Sequence, residues 1–123
     1  MGVAPIGRLS VVALDCRDPR ALATFYGAIT GWEIEDHEGD WVQLRSGNDV
    51  TLAFQLAPDH TPPVWPGGER PQQAHLDFDV NDLDAAEKQV LAAGARKAEF
   101  QPDASFRVFL DPAGHPFCLV LAG

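Results

Sequence analysis

The sequence predicts an α+β fold in which one β-α-β-β-β module occurs twice in a single chain. Segments with strand-like patterns alternate with two segments of helical periodicity. The order of these segments is the same in the two halves of the chain. A connector at residues 58–73, with five prolines and two glycines, separates the halves near the middle of the chain.

The first half begins with a strand and a helix. Residues 9–16 are rich in β-branched and apolar side chains, which favours a strand. Asp18 and Pro19 are typical of a helix start, apolar residues then recur at helical spacing through residue 29, and Gly31 is suited to end the helix. Three further strands are predicted at residues 32–36, 40–45 and 51–56, with a turn at 46–49.

The second half repeats this order. Residues 74–80 alternate between apolar and polar side chains, which predicts a strand. Asp82 is a candidate N-cap for a helix at residues 83–93, and Gly94 follows that helix. Three further strands are predicted at residues 96–100, 106–110 and 117–121, with a turn at 111–114.

The two halves correspond residue by residue at a nearly constant offset. Asp18 matches Asp82 at an offset of 64, and Gln55 matches Cys118 at an offset of 63. The modules then span residues 7–57 and 74–122. Neither is long enough to cover its own sheet, so we expect one domain over residues 1–123.

Composition and charge exclude several functional classes. The chain is 46% apolar and 22% charged, which is typical of a folded protein and not of a disordered one. Its formal charge of −9 disfavours nucleic acid and anionic membrane surfaces as partners. Without an apolar run of about 20 residues or a leader-like amino terminus, the chain is expected to be cytoplasmic. Cys16 and Cys118 are expected to be reduced thiols.

An ordered set of short motifs identifies a family resemblance. The motifs are Asp18-Pro19, Phe25-Tyr26 and Gly31-Trp32 in the first half, and His75 to Asp82, Gly94-Ala95 and Asp111 to Cys118 in the second. This set resembles the vicinal oxygen chelate superfamily, which includes glyoxalase I, bleomycin-resistance proteins, fosfomycin-resistance enzymes and extradiol dioxygenases. The ending Gly-His-Pro-Phe-Cys is most similar to its glyoxalase-like branch.

The resemblance implies an architecture and a metal-site pattern. The paired modules would form an open, cup-shaped mixed sheet with helices outside, and family members are often homodimers. Divalent-metal ligands, usually His, Gln or Glu, would come from the first and last strands of each module. His75 matches this pattern and Gln55 offers a neutral amide oxygen, whereas Val11 and Cys118 depart from it. The candidate metal ligands are therefore His75, Gln55 and Cys118.

Strand alternation adds candidate ligand-binding residues within the expected cup. His75, Asp77 and Asp79 share one strand face, while the apolar residues between them are expected to pack on the helix. Asp15 and Gln55 are expected on the corresponding face of the first module. The remaining candidates are Trp41, in the cup or the core, Trp65, as an aromatic lid, and Cys118.

Interpretations of the same residues that give them no function stay open. Asp77 and Asp79 can be exposed polar residues, His75 can be a ligand, a general base or a structural residue, and Cys118 can be an inert apolar filler. Arg45, Arg70 and Arg107 are candidate rim cations for an anionic group, or members of surface salt bridges.

Three functions follow, from different classes. The first is a binding protein that holds a small organic molecule in the acidic cup, which favours a cationic guest, without a complete metal site. The alternative is a metal-dependent lyase, isomerase or dioxygenase, in which a divalent metal polarises substrate oxygens. The third is an interaction domain whose cup is filled by side chains.

Overall fold

The computed structural model describes residues 5–47 and 50–122, which form two compact units. The boundary lies between Pro58 and Asp59, so the proline-rich connector belongs almost entirely to the second unit. Part of the turn predicted at residues 46–49 lies outside the described residues. Over the ranges described, neither helix is long and apolar enough to cross a membrane.

The first unit is a mixed sheet with one helix, as the sequence predicts. Within its described residues, the elements are β1 (Val11–Cys16), α1 (Pro19–Thr30), β2 (Glu33–His37), β3 (Trp41–Arg45) and β4 (Thr51–Leu56). The strand order is β1-β4-β3-β2, with β1 and β4 parallel and the other pairs antiparallel. The bounds differ from the predicted ones by at most two residues.

The second unit repeats this topology. Its elements in the described residues are β5 (Leu76–Val80), α2 (Leu83–Ala93), β6 (Arg96–Lys97), β7 (Phe106–Leu110) and β8 (Pro116–Leu121). The strand order is β5-β8-β7-β6, and β5 and β8 are parallel. The predicted pair of β-α-β-β-β modules in an α+β fold is therefore confirmed.

Equivalent aspartates begin the two helices. The carboxylate of Asp18 accepts the N–H of Ala21 at 3.1 Å, and that of Asp82 accepts the N–H of Ala85 at 3.0 Å. Each bond satisfies a backbone donor that has no partner inside its helix. The predicted correspondence of these two residues is thus a correspondence of structural role.

Stacked aromatic rings form much of each core. In the first unit Tyr26 of α1 stacks on Phe54 of β4, with ring centroids 5.7 Å apart. In the second, Phe109 of β7 stacks on Phe117 of β8 at 5.6 Å. All four rings are fully buried, and each contributes roughly 1.5–3 kcal/mol by leaving water.

Two strands of the second unit are shorter than predicted, each for a local reason. The strand expected at residues 74–80 begins at Leu76, since the position opposite His75 on β8 is Pro116, which has no N–H to donate. The strand expected at residues 96–100 ends at Lys97. Beyond it, the side-chain amide of Gln101 both donates to and accepts from the backbone of Val108, at 2.9 Å in each case, and replaces the strand.

A buried turn joins β7 to β8 and meets the connector. The carboxylate of Asp111 accepts the N–H groups of Ala113 and His115, at 2.8 and 3.0 Å. Gly114 in this turn has a φ of +90°, and a Cβ there would lie 2.4 Å from the Cβ of Pro62. The position therefore requires glycine for its backbone conformation and for the close approach of the connector.

We predict that Gly114→Ala destabilises the second unit more than Gly67→Ala does. Gly67 also has a positive φ, of +73°, but a Cβ there would meet nothing within 4 Å. The control therefore carries only the backbone strain, whereas Gly114→Ala also displaces Pro62. We expect an additional loss of about 1–3 kcal/mol, measured by denaturant unfolding. Equal losses in the two variants would show that Pro62 yields at no cost.

Candidate functional site

The second unit contains a cavity of about 210 Å³. Its wall is formed by two residues of the connector, the residue before β5, the loop before β7, β7 itself and the start of β8. The lining residues are Trp65, Gln72, His75, Pro102, Phe106, Val108, Pro116 and Cys118. Three of them, Trp65, His75 and Cys118, are candidates from the sequence, and the structure brings these three together.

Side chains from one face of β7 and β8 form the floor of the cavity. Phe106 and Val108 are two residues apart on β7, and so are Pro116 and Cys118 on β8, so each pair projects to one face of the sheet. Val108 and Cys118 are direct partners in the antiparallel register. The floor is therefore almost wholly apolar.

The connector supplies another part of the wall. Val64 donates its N–H to the carbonyl of Arg70 at 2.6 Å, which closes a loop around residues 64–71. Trp65 lies in this loop, half-buried, and its ring contacts that of Phe100 at a centroid distance of 5.8 Å. Trp65 thus lines the cavity, and its function as a lid over a ligand stays a prediction.

A His-Asp-Cys cluster lies at the edge of the cavity. The candidate ligand atoms of His75, Asp77 and Cys118 all lie within 4.8 Å of one another. His75 Nε2 is 3.2 Å from Asp77 Oδ1. The register explains the cluster, because Asp77 pairs with Cys118 across the parallel β5–β8 ladder and His75 stands two residues earlier. Nitrogen, oxygen and thiol donors together suit a zinc-like ion better than a hard cation.

Cys118 is held as a neutral thiol. Its burial, above all, raises the pKa of the thiol to about 11, and the negative charge of Asp77 and a hydrogen bond to that carboxylate act in the same direction. A thiol with this pKa is almost fully protonated at neutral pH and is a poor nucleophile. The interpretation of Cys118 as an inert residue agrees with this environment.

The first unit carries a row of three candidate residues of its own. Gln55 on β4 pairs with Asp15 on β1 and with Trp41 on β3, so these three candidates are neighbours on one sheet face. They occupy the positions that Asp79, Val120 and Phe106 occupy in the second unit, where the strands end with the same hydrogen bonds. Asp15 and Gln55 are exposed, and the Trp41 indole N–H donates to Gln43 Oε1 at 3.0 Å.

This register changes one correspondence expected from the sequence. Counting from the helix caps matches Val11 with His75, and the strand pairing agrees, because β1 and β4 end at Cys16 and Leu56 as β5 and β8 end at Val80 and Leu121. Val11 pairs with Thr51, four residues away from Gln55 along β4. The position equivalent to Gln55, four residues after the one opposite His75, is therefore Val120, whereas the sequence matched Gln55 with Cys118.

The remaining polar candidates have other surroundings. Asp79 is exposed on β5 and does not belong to the His-Asp-Cys cluster. Arg107 contacts Asp84 and Glu87 of α2, at 2.8 and 3.1 Å, and its hydrogen bond lowers the pKa of Asp84. Arg45 forms an ion pair with Glu35. Both arginines therefore form surface ion pairs, which was the structural alternative to a role in binding an anion.

Sequence reasoning missed five lining residues. Gln72 and Pro102 lie in loops, where alternation gives no orientation, and the other three are Phe106, Val108 and Pro116. Alternation could have found these three, because Phe106 and Val108 share a face with each other, as Pro116 does with the candidate Cys118.

We predict that Asp77→Asn lowers the pKa of Cys118. Removing the carboxylate charge and its hydrogen bond lets the thiolate form more readily, while burial, the larger cause, keeps the pKa above the ordinary 9.0. The measurement is the pH dependence of iodoacetamide alkylation, by intact mass, in a Cys16→Ala background. Asp79→Asn is the matched control. A pKa equal to that of the parent in Asp77→Asn would contradict the assigned contact.

Comparison with solved structures gives fold relatives over nearly the whole chain. A glyoxalase/bleomycin resistance protein/dioxygenase family enzyme from Burkholderia phytofirmans PsJN aligns with a TM-score of 0.72 at 21% identity, covering 92% of this chain and 97% of that one. A glyoxalase/bleomycin resistance protein from Albidiferax ferrireducens T118 aligns with 0.67 at 18%, covering 94% and 98%. The fosfomycin resistance protein FosX from Mesorhizobium loti aligns with 0.65 at 13%, covering 99% and 94%.

Sequence comparison identifies the family. No curated protein sequence matches the chain significantly. The family model described as a glyoxalase-like domain matches residues 11–120, from the first residue of β1 to the penultimate residue of β8. The chain therefore belongs to the glyoxalase-like domain family, within the vicinal oxygen chelate superfamily.

Proposed function

We propose that this glyoxalase-like protein binds a small organic molecule in the cavity of its second unit. The observation that carries the proposal is the cavity itself, whose apolar wall holds only a few polar groups. Small-molecule sites in proteins have this composition, because apolar area supplies affinity and a few polar atoms fix orientation. The volume of about 210 Å³ suits a compact molecule of one or two rings.

Charge favours a neutral or cationic ligand. Asp77 lies beside two of the lining residues, and the whole chain carries a formal charge of −9. Among the described lining residues there is no Lys or Arg, and Arg107 on β7 contacts α2 instead. An anion would thus meet an unfavourable potential without a fixed cation to bind it.

A metal-dependent lyase, isomerase or dioxygenase is the second candidate. One observation favours it: the cluster of His75, Asp77 and Cys118 gathers three donor types within 4.8 Å. In such an enzyme the metal would polarise substrate oxygens, and these three residues would hold it. Cys118 would have to lose a proton that its environment retains strongly, which is why binding ranks first.

The homodimer and the cytoplasmic location remain predictions.

We predict that Trp65→Ala weakens binding of the apolar bicycle indene. Trp65 lines the cavity, so its removal takes away a large contact surface, and we expect a loss of roughly tenfold or more in affinity. A ¹⁵N–¹H NMR titration measures this and reports which residues shift. Leu91→Ala, an exposed truncation on α2 of the same unit, is the control and should leave affinity unchanged. If the parent does not bind indene at millimolar concentration, the binding proposal fails.

Zinc uptake tests the second candidate. If the cluster is a metal centre, the parent should retain about one zinc per chain after exchange and desalting, measured by elemental analysis. His75→Ala and Asp77→Asn should each abolish retention, since each removes one of three donors, whereas Asp79→Asn should not. A parent without zinc, or equal retention in all four proteins, would remove the cluster as a metal centre.

A further inference from the structure

The side-chain amide of Gln72 is accessible at its nitrogen end. Its Oε1 has no surface that solvent can reach and receives no hydrogen bond from the described residues. The Nε2 group keeps accessible surface, and no group of the described residues accepts a hydrogen bond from it. Since Gln72 lines the cavity, a ligand can reach its apolar stem and its N–H donors but not its oxygen.

The indole of Trp65 is a second donor of this kind. Its Nε1–H keeps accessible surface and has no acceptor among the described residues. An indole nitrogen donates a hydrogen bond and cannot accept one. Trp65 and Gln72 both belong to the connector and both line the cavity. The connector therefore gives this wall two N–H donors that the described residues leave unpaired.

The other polar side chains of the described wall are engaged with Asp77. Cys118 is a neutral thiol hydrogen-bonded to that carboxylate. His75 directs Nε2 at it from 3.2 Å, which leaves Nδ1 as a side-chain acceptor. The rest of the lining consists of apolar side chains: Pro102, Phe106, Val108 and Pro116. Free donors thus outnumber free side-chain acceptors in the described wall.

From this we propose that the connector selects ligands with a hydrogen-bond acceptor, which the N–H groups of Trp65 and Gln72 bind. The ligand class is a compact, largely apolar molecule with an uncharged acceptor, such as a ketone, lactone or amide carbonyl. An anionic acceptor is disfavoured by Asp77, which lies beside the wall. Accessible N–H groups are hydrated, so a purely apolar ligand displaces their water without replacing its hydrogen bonds, whereas a carbonyl oxygen replaces them. This inference rests on the proposed binding function and deepens it.

Three fused bicyclic probes of similar size separate acceptor recognition from simple apolar binding. 1-Indanone carries one carbonyl acceptor, indene carries no hydrogen-bonding group, and indole carries one N–H donor. We expect the parent protein to bind 1-indanone roughly threefold to tenfold more tightly than indene, the range of one neutral hydrogen bond. The dissociation constants are measured by ¹⁵N–¹H NMR titration. Their ratio is the quantity compared between proteins, since a change in cavity shape affects both probes.

Two variants assign the preference to the two donors. Trp65→Phe keeps an aromatic ring and removes the indole N–H, and Gln72→Leu keeps the approximate side-chain shape and removes the amide. Each should lower the preference for 1-indanone over indene, and the double variant should bind the two probes about equally. Gln73→Leu changes the neighbouring exposed glutamine, which does not line the cavity, and should keep the parent's preference.

The outcomes distinguish this inference from the binding proposal. Equal affinities of the parent for 1-indanone and indene would overturn the inference and leave the binding function intact. Tighter binding of indole than of 1-indanone would also overturn it, since an acceptor such as His75 Nδ1 would then decide the preference. A preference for 1-indanone that survives in the double variant would show that other groups donate. If the parent binds none of the probes, the binding proposal and this inference both fail.

Discussion

The buried carboxylate of Asp111 is the interaction on which the second unit's site depends. It is 2% exposed and receives two backbone N–H groups, which offsets the cost of removing a charged group from water. These bonds fix the turn between β7 and β8, and with it the register that places Val108 beside Cys118. The same turn carries Gly114 against Pro62, so it also anchors the connector that contributes part of the cavity wall.

The two modules have the same strand topology and differ in the side chains at equivalent positions. At one register position the first unit has Gln55 between Asp15 and Trp41, and the second has Val120 between Asp79 and Phe106. Direct strand partners must project to the same face, so the neighbourhood is dictated by topology while the residue types are free to change. An aspartate beside the central position is common to both units, which makes the acidic character of these faces a property of the repeat.

Much of this arrangement could be predicted from local patterns. Helix caps at Asp18 and Asp82 and the alternation in β5 depend on neighbouring residues, which is why their predictions were accurate. The cavity depends on contacts distant in sequence. Nothing near Gln72 indicates that its oxygen is buried, and only the strand register shows that Val120, not Cys118, corresponds to Gln55.

Gln101 has a consequence for how copies of this protein behave when they are crowded. A strand edge with unpaired N–H and C=O groups is a template for pairing with another molecule and for aggregation. Where β6 stops, the side-chain amide of Gln101 occupies both backbone groups of Val108. Together with the N–H of Ala98, which donates to the same carbonyl at 3.1 Å, this side chain satisfies the backbone of Val108. Val108 is therefore closed to intermolecular sheet extension although β6 is only two residues long.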